Sequence, residues 1–134
     1  MFLQEQLAGC ERLGSGFMAV HVVEDDPGVS DSLSLLLEHL GFEVVRHTDA
    51  EDLFRSAPPS GNDIVFVDLI LPGISGAELL RWLTHLKDPP RIVVMSGQSQ
   101  STIDLQLRGI DGMNVIRKPL SHGSITQQLA QLIA

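Results

Sequence analysis

The sequence has no tyrosine, one cysteine and one tryptophan, and aromatic residues make up only 4% of it. The lone Cys10 cannot close an internal disulfide, so a disulfide-stapled secreted fold is excluded. Basic residues are also scarce. Nine Lys and Arg stand against seventeen Asp and Glu, for a formal net charge of −8. That balance argues against nucleic-acid binding by the chain itself, because phosphate contacts need clustered Lys and Arg, and the few here are scattered. An acidic surface suits a divalent cation or a basic partner instead. No run approaches the roughly 18–20 consecutive apolar residues of a membrane span. The opening MFLQEQLAGCERLGSGF has neither a basic start nor a long apolar stretch, so no signal peptide is read there. Together with the single cysteine, this places the chain in the cytoplasm. Internal repeats and low-complexity tracts are absent.

What is present is an alternation. The 134 residues fit one domain, and 43% of them are hydrophobic. Five short apolar runs are rich in β-branched residues and too short for helices. They are Ala19–Val23, Phe42–Arg46, Ile64–Asp68, Arg91–Met95 and Met113–Arg117. Near-continuous apolarity predicts parallel strands covered on both faces, while the more alternating second run suits an edge. Helical patterns separate them. Asp26 and Pro27 form an N-cap and first-turn pair, followed by Val29, Leu33, Leu36, Leu37 and Leu40, with Gly41 as terminator. Thr48-x-x-Glu51 and Ser75-x-x-Glu78 have capping-box spacing. They predict helices carrying Leu53, Phe54 and Ala57, then Leu79, Leu80, Leu83 and Leu86, ended by Pro58-Pro59 and Pro89-Pro90. A weaker helix is read over about 101–108, and a last one carries Ile125, Leu129, Leu132 and Ile133. The βα alternation predicts an α/β fold: a flavodoxin-like, doubly wound (βα)5 domain with a five-stranded parallel sheet in the order 2-1-3-4-5. Residues 1–17 fall outside the pattern as an N-terminal extension, with Leu3, Leu7 and Cys10 on one helical face. Met18 directly precedes the first strand.

Ligands of open α/β sheets bind beyond the carboxyl ends of the strands, near the switch in strand order. Glu24, Asp25 and Asp26 follow the first strand, and Asp68 ends the third. Ser96-Gly97 follows the fourth strand and Lys118-Pro119 the fifth. In the 2-1-3 order the first and third strands are neighbours, so their acidic ends face one crevice. Crowded carboxylates repel, and a hard cation relieves them. Mg²⁺ takes oxygen ligands, commonly one or two carboxylates with water and phosphate oxygens. A carboxylate nucleophile, metal-holding acids, an amine and a hydroxyl are the parts that phosphoryl transfer uses. Each part alone has a plainer meaning. Asp26 alone is a helix cap, Glu24 or Asp25 a solvated loop acid, and Asp68 a turn former. Their joint placement at separately predicted strand ends carries the reading.

These residues resemble a known family. Val22-Val23-Glu24-Asp25-Asp26, the run Asp68-x-x-x-Pro72-x-x-x-Gly76, Val94-Met95-Ser96-Gly97 and Lys118-Pro119 are similar to the receiver domains of bacterial two-component response regulators. The likeness runs from about residue 19 to the end, and assigns 18–134 to a receiver domain. It implies that Asp68 accepts a phosphoryl group from the phosphohistidine of a sensor histidine kinase or phosphotransfer protein. It implies Mg²⁺ as cofactor, with Asp25, Asp68 and the Ile70 carbonyl as ligands and Glu24 holding a metal-bound water. Ser96 matches the hydroxyl that turns to the phosphoryl group, Lys118 the lysine that pairs with its oxygens, and the Lys118-Pro119 bond is expected to be cis. The resemblance implies a switch rather than a conventional enzyme, catalysing only its own phosphorylation and dephosphorylation. Phosphorylation then remodels the face formed by helix four, strand five and helix five, for a downstream protein or a fused effector domain to read. A homodimer fits the same reading.

Two departures and three alternatives accompany the resemblance. The family's aromatic residue three positions before the lysine is Val115 here, so the usual aromatic relay is absent. Gly109 and Gly112 flank Ile110-Asp111, which predicts a short or irregular region around helix four. Ile70 and Gln98 stand where the family tunes phosphoryl lifetime, and an apolar Ile70 predicts slow self-dephosphorylation. Within the family reading, the chain is alternatively a portion of a larger regulator, weakly similar to receivers fused to cyclic-di-GMP phosphodiesterase domains. A flavin-binding flavodoxin-like protein needs a phosphate loop where Glu24-Asp25-Asp26 would repel the flavin phosphate. A Mg²⁺-dependent haloacid-dehalogenase-like phosphatase needs a second Asp where Ile70 stands.

Overall fold

The computed structural model describes residues 19–133. The N-terminal extension, its Leu3, Leu7 and Cys10 face, and Met18 lie outside the described residues. Ten elements alternate along the chain: β1 (Ala19–Val23), α1 (Pro27–His39), β2 (Glu43–His47), α2 (Ala50–Arg55), β3 (Ile64–Asp68), α3 (Gly76–Thr84), β4 (Arg91–Ser96), α4 (Gln100–Gln106), β5 (Asn114–Arg117) and α5 (His122–Ile133). The strands form one parallel sheet in the order β2-β1-β3-β4-β5. That is the order the βα alternation predicts, and β2 is an edge strand.

The sheet is buried on both faces because strand side chains alternate between them. Val20, Val22, Ile64, Phe66, Val93 and Met95 face α1 and α5, where Leu33, Leu37, Ile125 and Leu129 meet them. Val23, Val65, Val67 and Val94 face the other layer, where Leu53, Leu79, Leu80, Leu83 and Ile103 close over them. Central β3 is shielded throughout, and Ile64 to Val67 have no exposed surface. Burying each such side chain is worth about 1.5–3 kcal/mol, so β3 anchors the sheet and fixes where Asp68 emerges.

The helix signals hold in part. Asp26 caps α1, accepting from Gly28 N at 2.9 Å and Val29 N at 3.3 Å, and Pro27 takes the first turn. Gly41 has φ 99°, which a side chain would resist, and it ends α1 as its position predicts. Ser75 caps α3 by accepting from Glu78 N at 3.2 Å. The Thr48 reading is corrected, because Asp49 caps α2 and accepts from Asp52 N at 2.7 Å. A carboxylate reaches the first-turn N–H more readily than the neighbouring threonine, and the cap shifts by one residue. α2 ends at Arg55, so Ala57 is exposed and outside the helix. α3 ends at Thr84, before Leu86 and the Pro89-Pro90 pair. The fourth helix runs over Gln100–Gln106 rather than 101–108, with Ser99 as its cap. Of its residues only Ile103 is buried, and Gly109 and Gly112 adopt positive φ beyond it.

Candidate functional site

Parallel pairing places the site. Val23 pairs with Val67, so the next residue of each strand, Glu24 and Asp68, emerges at the same edge of the sheet. Met95 pairs with Asp68, and Ser96 with Arg117, bringing the ends of β4 and β5 to the same edge. The oxygens of Glu24, Asp25 and Asp68 lie within 4.8 Å of one another. Glu24 and Asp68 are buried, whereas Asp25 is exposed.

Lys118 bridges the two buried acids. Its Nζ donates to Glu24 Oε1 at 2.6 Å and to Asp68 Oδ2 at 3.1 Å. The Lys118-Pro119 bond is cis, as the resemblance implies. The other Asp68 oxygen, Oδ1, accepts from Ile70 N at 3.0 Å. Glu24 Oε2 accepts from Asp26 N at 3.4 Å. Burial, and then the hydrogen bond it shares with Asp68, push the Glu24 carboxyl from 4.5 up to about 7, against the opposing pull of Lys118. Burial opposes the Lys118 charge, but its bonds to Glu24 and Asp68 outweigh that effect and raise its pKa.

Of the residues singled out from sequence, Glu24, Asp25, Asp68 and Lys118 converge. Ser96 is buried at the end of β4, and its carbonyl accepts from Lys118 N at 2.9 Å. Its hydroxyl accepts from Gln98 N at 3.1 Å. At Ile70 the observed contact to Asp68 is through the N–H, and the side chain is largely exposed. Gly76, the last residue of the Asp68-x-x-x-Pro72-x-x-x-Gly76 run, has a structural role of its own. A Cβ there would lie 2.2 Å from the Asp68 carbonyl oxygen and 2.6 Å from Leu69 Cα. Only glycine lets the start of α3 come that close to the end of β3. Gly76 N donates to Leu69 O at 3.3 Å across this contact.

The Response regulator receiver domain family matches residues 20–130, nearly all of the described chain. The chain belongs to the response regulator receiver family. The receiver is 31% identical over 108 residues to the transcriptional regulatory protein FixJ of Azorhizobium caulinodans, covering 81% of this chain and 51% of FixJ. It is 33% identical over 105 residues to the sensory transduction protein RegX3 of Mycobacterium bovis, covering 77% of this chain and 45% of that protein. The chain therefore spans about half the length of the curated relatives it matches. Among solved structures, the FixJ-N crystal structure superposes with a TM-score of 0.72 at 28% identity, covering 90% of this chain and 94% of that one. The receiver domain of a sensor histidine kinase from Pseudomonas aeruginosa shares the fold, with a TM-score of 0.76 at 21% identity, covering 88% and 98%. That protein carries a magnesium ion coordinated in its active-site cleft.

The donor set here suits the same class of ion. Three carboxylates crowd one crevice, and the raised Glu24 pKa is the signature of their burial and mutual repulsion. A hard divalent cation with oxygen ligands relieves both. No helix among the described residues is long and apolar enough to cross a membrane.

Proposed function

We propose that this receiver is a phosphorylation switch in which Asp68 accepts the phosphoryl group. The observation that carries this reading is the hold on Asp68. Its Oδ1 is pinned by Ile70 N–H and its Oδ2 by Lys118, within 4.8 Å of two further carboxylates. A carboxylate fixed in that way presents a lone pair along one direction, and positioning with charge neutralisation is most of what phosphoryl transfer needs. An Asp68 oxygen forms a bond to phosphorus as the P–N bond of a donor phosphohistidine breaks, and the imidazole leaves with the electron pair. Asp25, Asp68 and the Ile70 carbonyl, with Glu24 acting through water, would hold Mg²⁺, which would supply charge neutralisation on the phosphoryl oxygens. Lys118 then exchanges its hold on Glu24 for the new phosphoryl oxygens. Ser96 turns its hydroxyl from Gln98 N toward the same group.

The donor is a sensor histidine kinase or phosphotransfer protein, working in the cytoplasm. The domain is no enzyme beyond its own phosphorylation and dephosphorylation. Residues 18–134 form the receiver, and residues 1–17 an extension to it. The output is read on the α4–β5–α5 face by a downstream protein, a second copy or a fused effector domain. The coverage of about half of each relative favours the fused arrangement. Labelling with a small acyl phosphate tests the reading. The protein should take up one phosphoryl group in Mg²⁺, and lose that uptake in Asp68→Asn or with a chelator. Uptake at the native rate in Asp68→Asn would refute it.

A further inference from the structure

We propose that His21 and His47 hold one proton more than two neutral imidazoles carry, as the buried cationic centre of a chain Asp63–His21–His47–Asp52 whose Asp52 end is partly exposed. The four side chains are separate from the Asp68 machinery, although the His47 main-chain carbonyl accepts from Glu24 N at 3.1 Å. His21 Nε2 meets Asp63 Oδ2 at 3.3 Å, His21 Nδ1 meets His47 Nε2 at 3.2 Å, and His47 Nδ1 meets Asp52 Oδ2 at 2.9 Å. Both histidines are buried. Their ring centres are 5.5 Å apart with planes inclined by 18°. The facing nitrogens are much closer than the ring centres, so the rings meet edge to edge, as a hydrogen-bonded pair does.

The proton count follows from hydrogen-bond stoichiometry. A carboxylate only accepts, so each outer ring nitrogen must carry a hydrogen. The inner contact needs one more hydrogen, on one of its two nitrogens. Three hydrogens on four ring nitrogens make one ring cationic and the other neutral. Two neutral rings would leave either a carboxylate without its donor or two lone pairs facing each other in a buried site, which is costly. Both carboxylates are placed as acceptors. Asp63 also receives Ala19 N at 3.0 Å and Ser60 N at 2.9 Å, and Asp52 receives Arg55 at 3.4 Å. Asp63, Asp52 and, behind Asp52, Arg55 are the charged groups that meet the pair among the described residues. Burial, first among the causes, pushes the His21 pKa down, against its hydrogen bond to Asp63.

The chain joins the start of β3 to β1, to the edge strand β2 and to α2, whose only buried residues are Ala50 and Leu53. It is a lock for an element with little apolar anchorage of its own. Nitrogen-15 NMR of the full chain with labelled histidine, at neutral pH, tests the count. His39, His85 and His122 are exposed, so their ring hydrogens exchange quickly with water. Three protonated nitrogens and one bare nitrogen are expected over His21 and His47. Two or four protonated nitrogens would overturn the assignment. His47→Leu should lower the thermal midpoint by several degrees, and an unchanged midpoint would overturn the lock.

Discussion

Asp68 acts through what surrounds it. Alone it is a strand-end acid; with Ile70 N–H on one oxygen and Lys118 on the other, it is a carboxylate held in one orientation. Ile70 has two roles at this scale. Its main chain positions Asp68, and its side chain, two residues beyond Asp68, is largely exposed. We propose that this apolar group hinders the water that would hydrolyse the acyl phosphate. Replacing Ile70 with Asn should therefore shorten the phosphoryl half-life severalfold, measured by loss of label after the donor is removed. An unchanged or longer half-life would show that Ile70 does not control access. Asp68 and Lys118 were legible in the sequence because strand ends and strand order can be read from local patterns. The His21–His47 pairing was not. Those residues are 26 positions apart and meet only through the diagonal register of two neighbouring strands.

At the scale of the elements, the site depends on how closely α3 approaches β3. Gly76→Ala puts a methyl group against the Asp68 carbonyl oxygen and Leu69 Cα, where only main chain can give way. Overpacking of this kind costs about 1–3 kcal/mol, and the shift should also disturb the Asp68 carboxylate. Chemical denaturation should show the loss, together with a slower uptake of phosphoryl from a small donor. A variant as stable as the parent would mean that α3 slides without cost. The strands and most helix starts were legible because alternation, Asp26 and Ser75 are local signals. The helix ends were less so, since α2 and α3 stop before the proline pairs that follow them. α4 is the weakest element, with Ile103 as its one buried residue. Val115 is half-buried beside it and packs on the same cluster, in place of the family's aromatic.

For the whole molecule, two apolar layers grip a central sheet while its carboxyl edge gathers negative charge. The carboxyl groups crowded at that edge make stability depend on pH. The Glu24 pKa is about 7 in the folded protein and 4.5 as an ordinary carboxyl. Between those values the folded state keeps a proton that the unfolded chain has lost. The Glu24 contribution is thus fully present below about pH 4.5, and is lost as pH rises through about 7. Mg²⁺ must displace the same proton, so its apparent affinity should rise over that window and level off above it. Thermal melts with and without Mg²⁺ across this range should diverge as pH increases. Parallel curves would mean that Glu24 does not face the ion.

The proposed phosphorylation makes Asp68, among the acids of the crevice, the acyl phosphate. It is tested most directly by treating the protein with a small acyl phosphate in Mg²⁺, reducing the product with borohydride and mapping the modified residue by peptide mass. Homoserine is expected at position 68, with Glu24 and Asp25 unmodified. Modification at Glu24 or Asp25, or none at position 68, would contradict it.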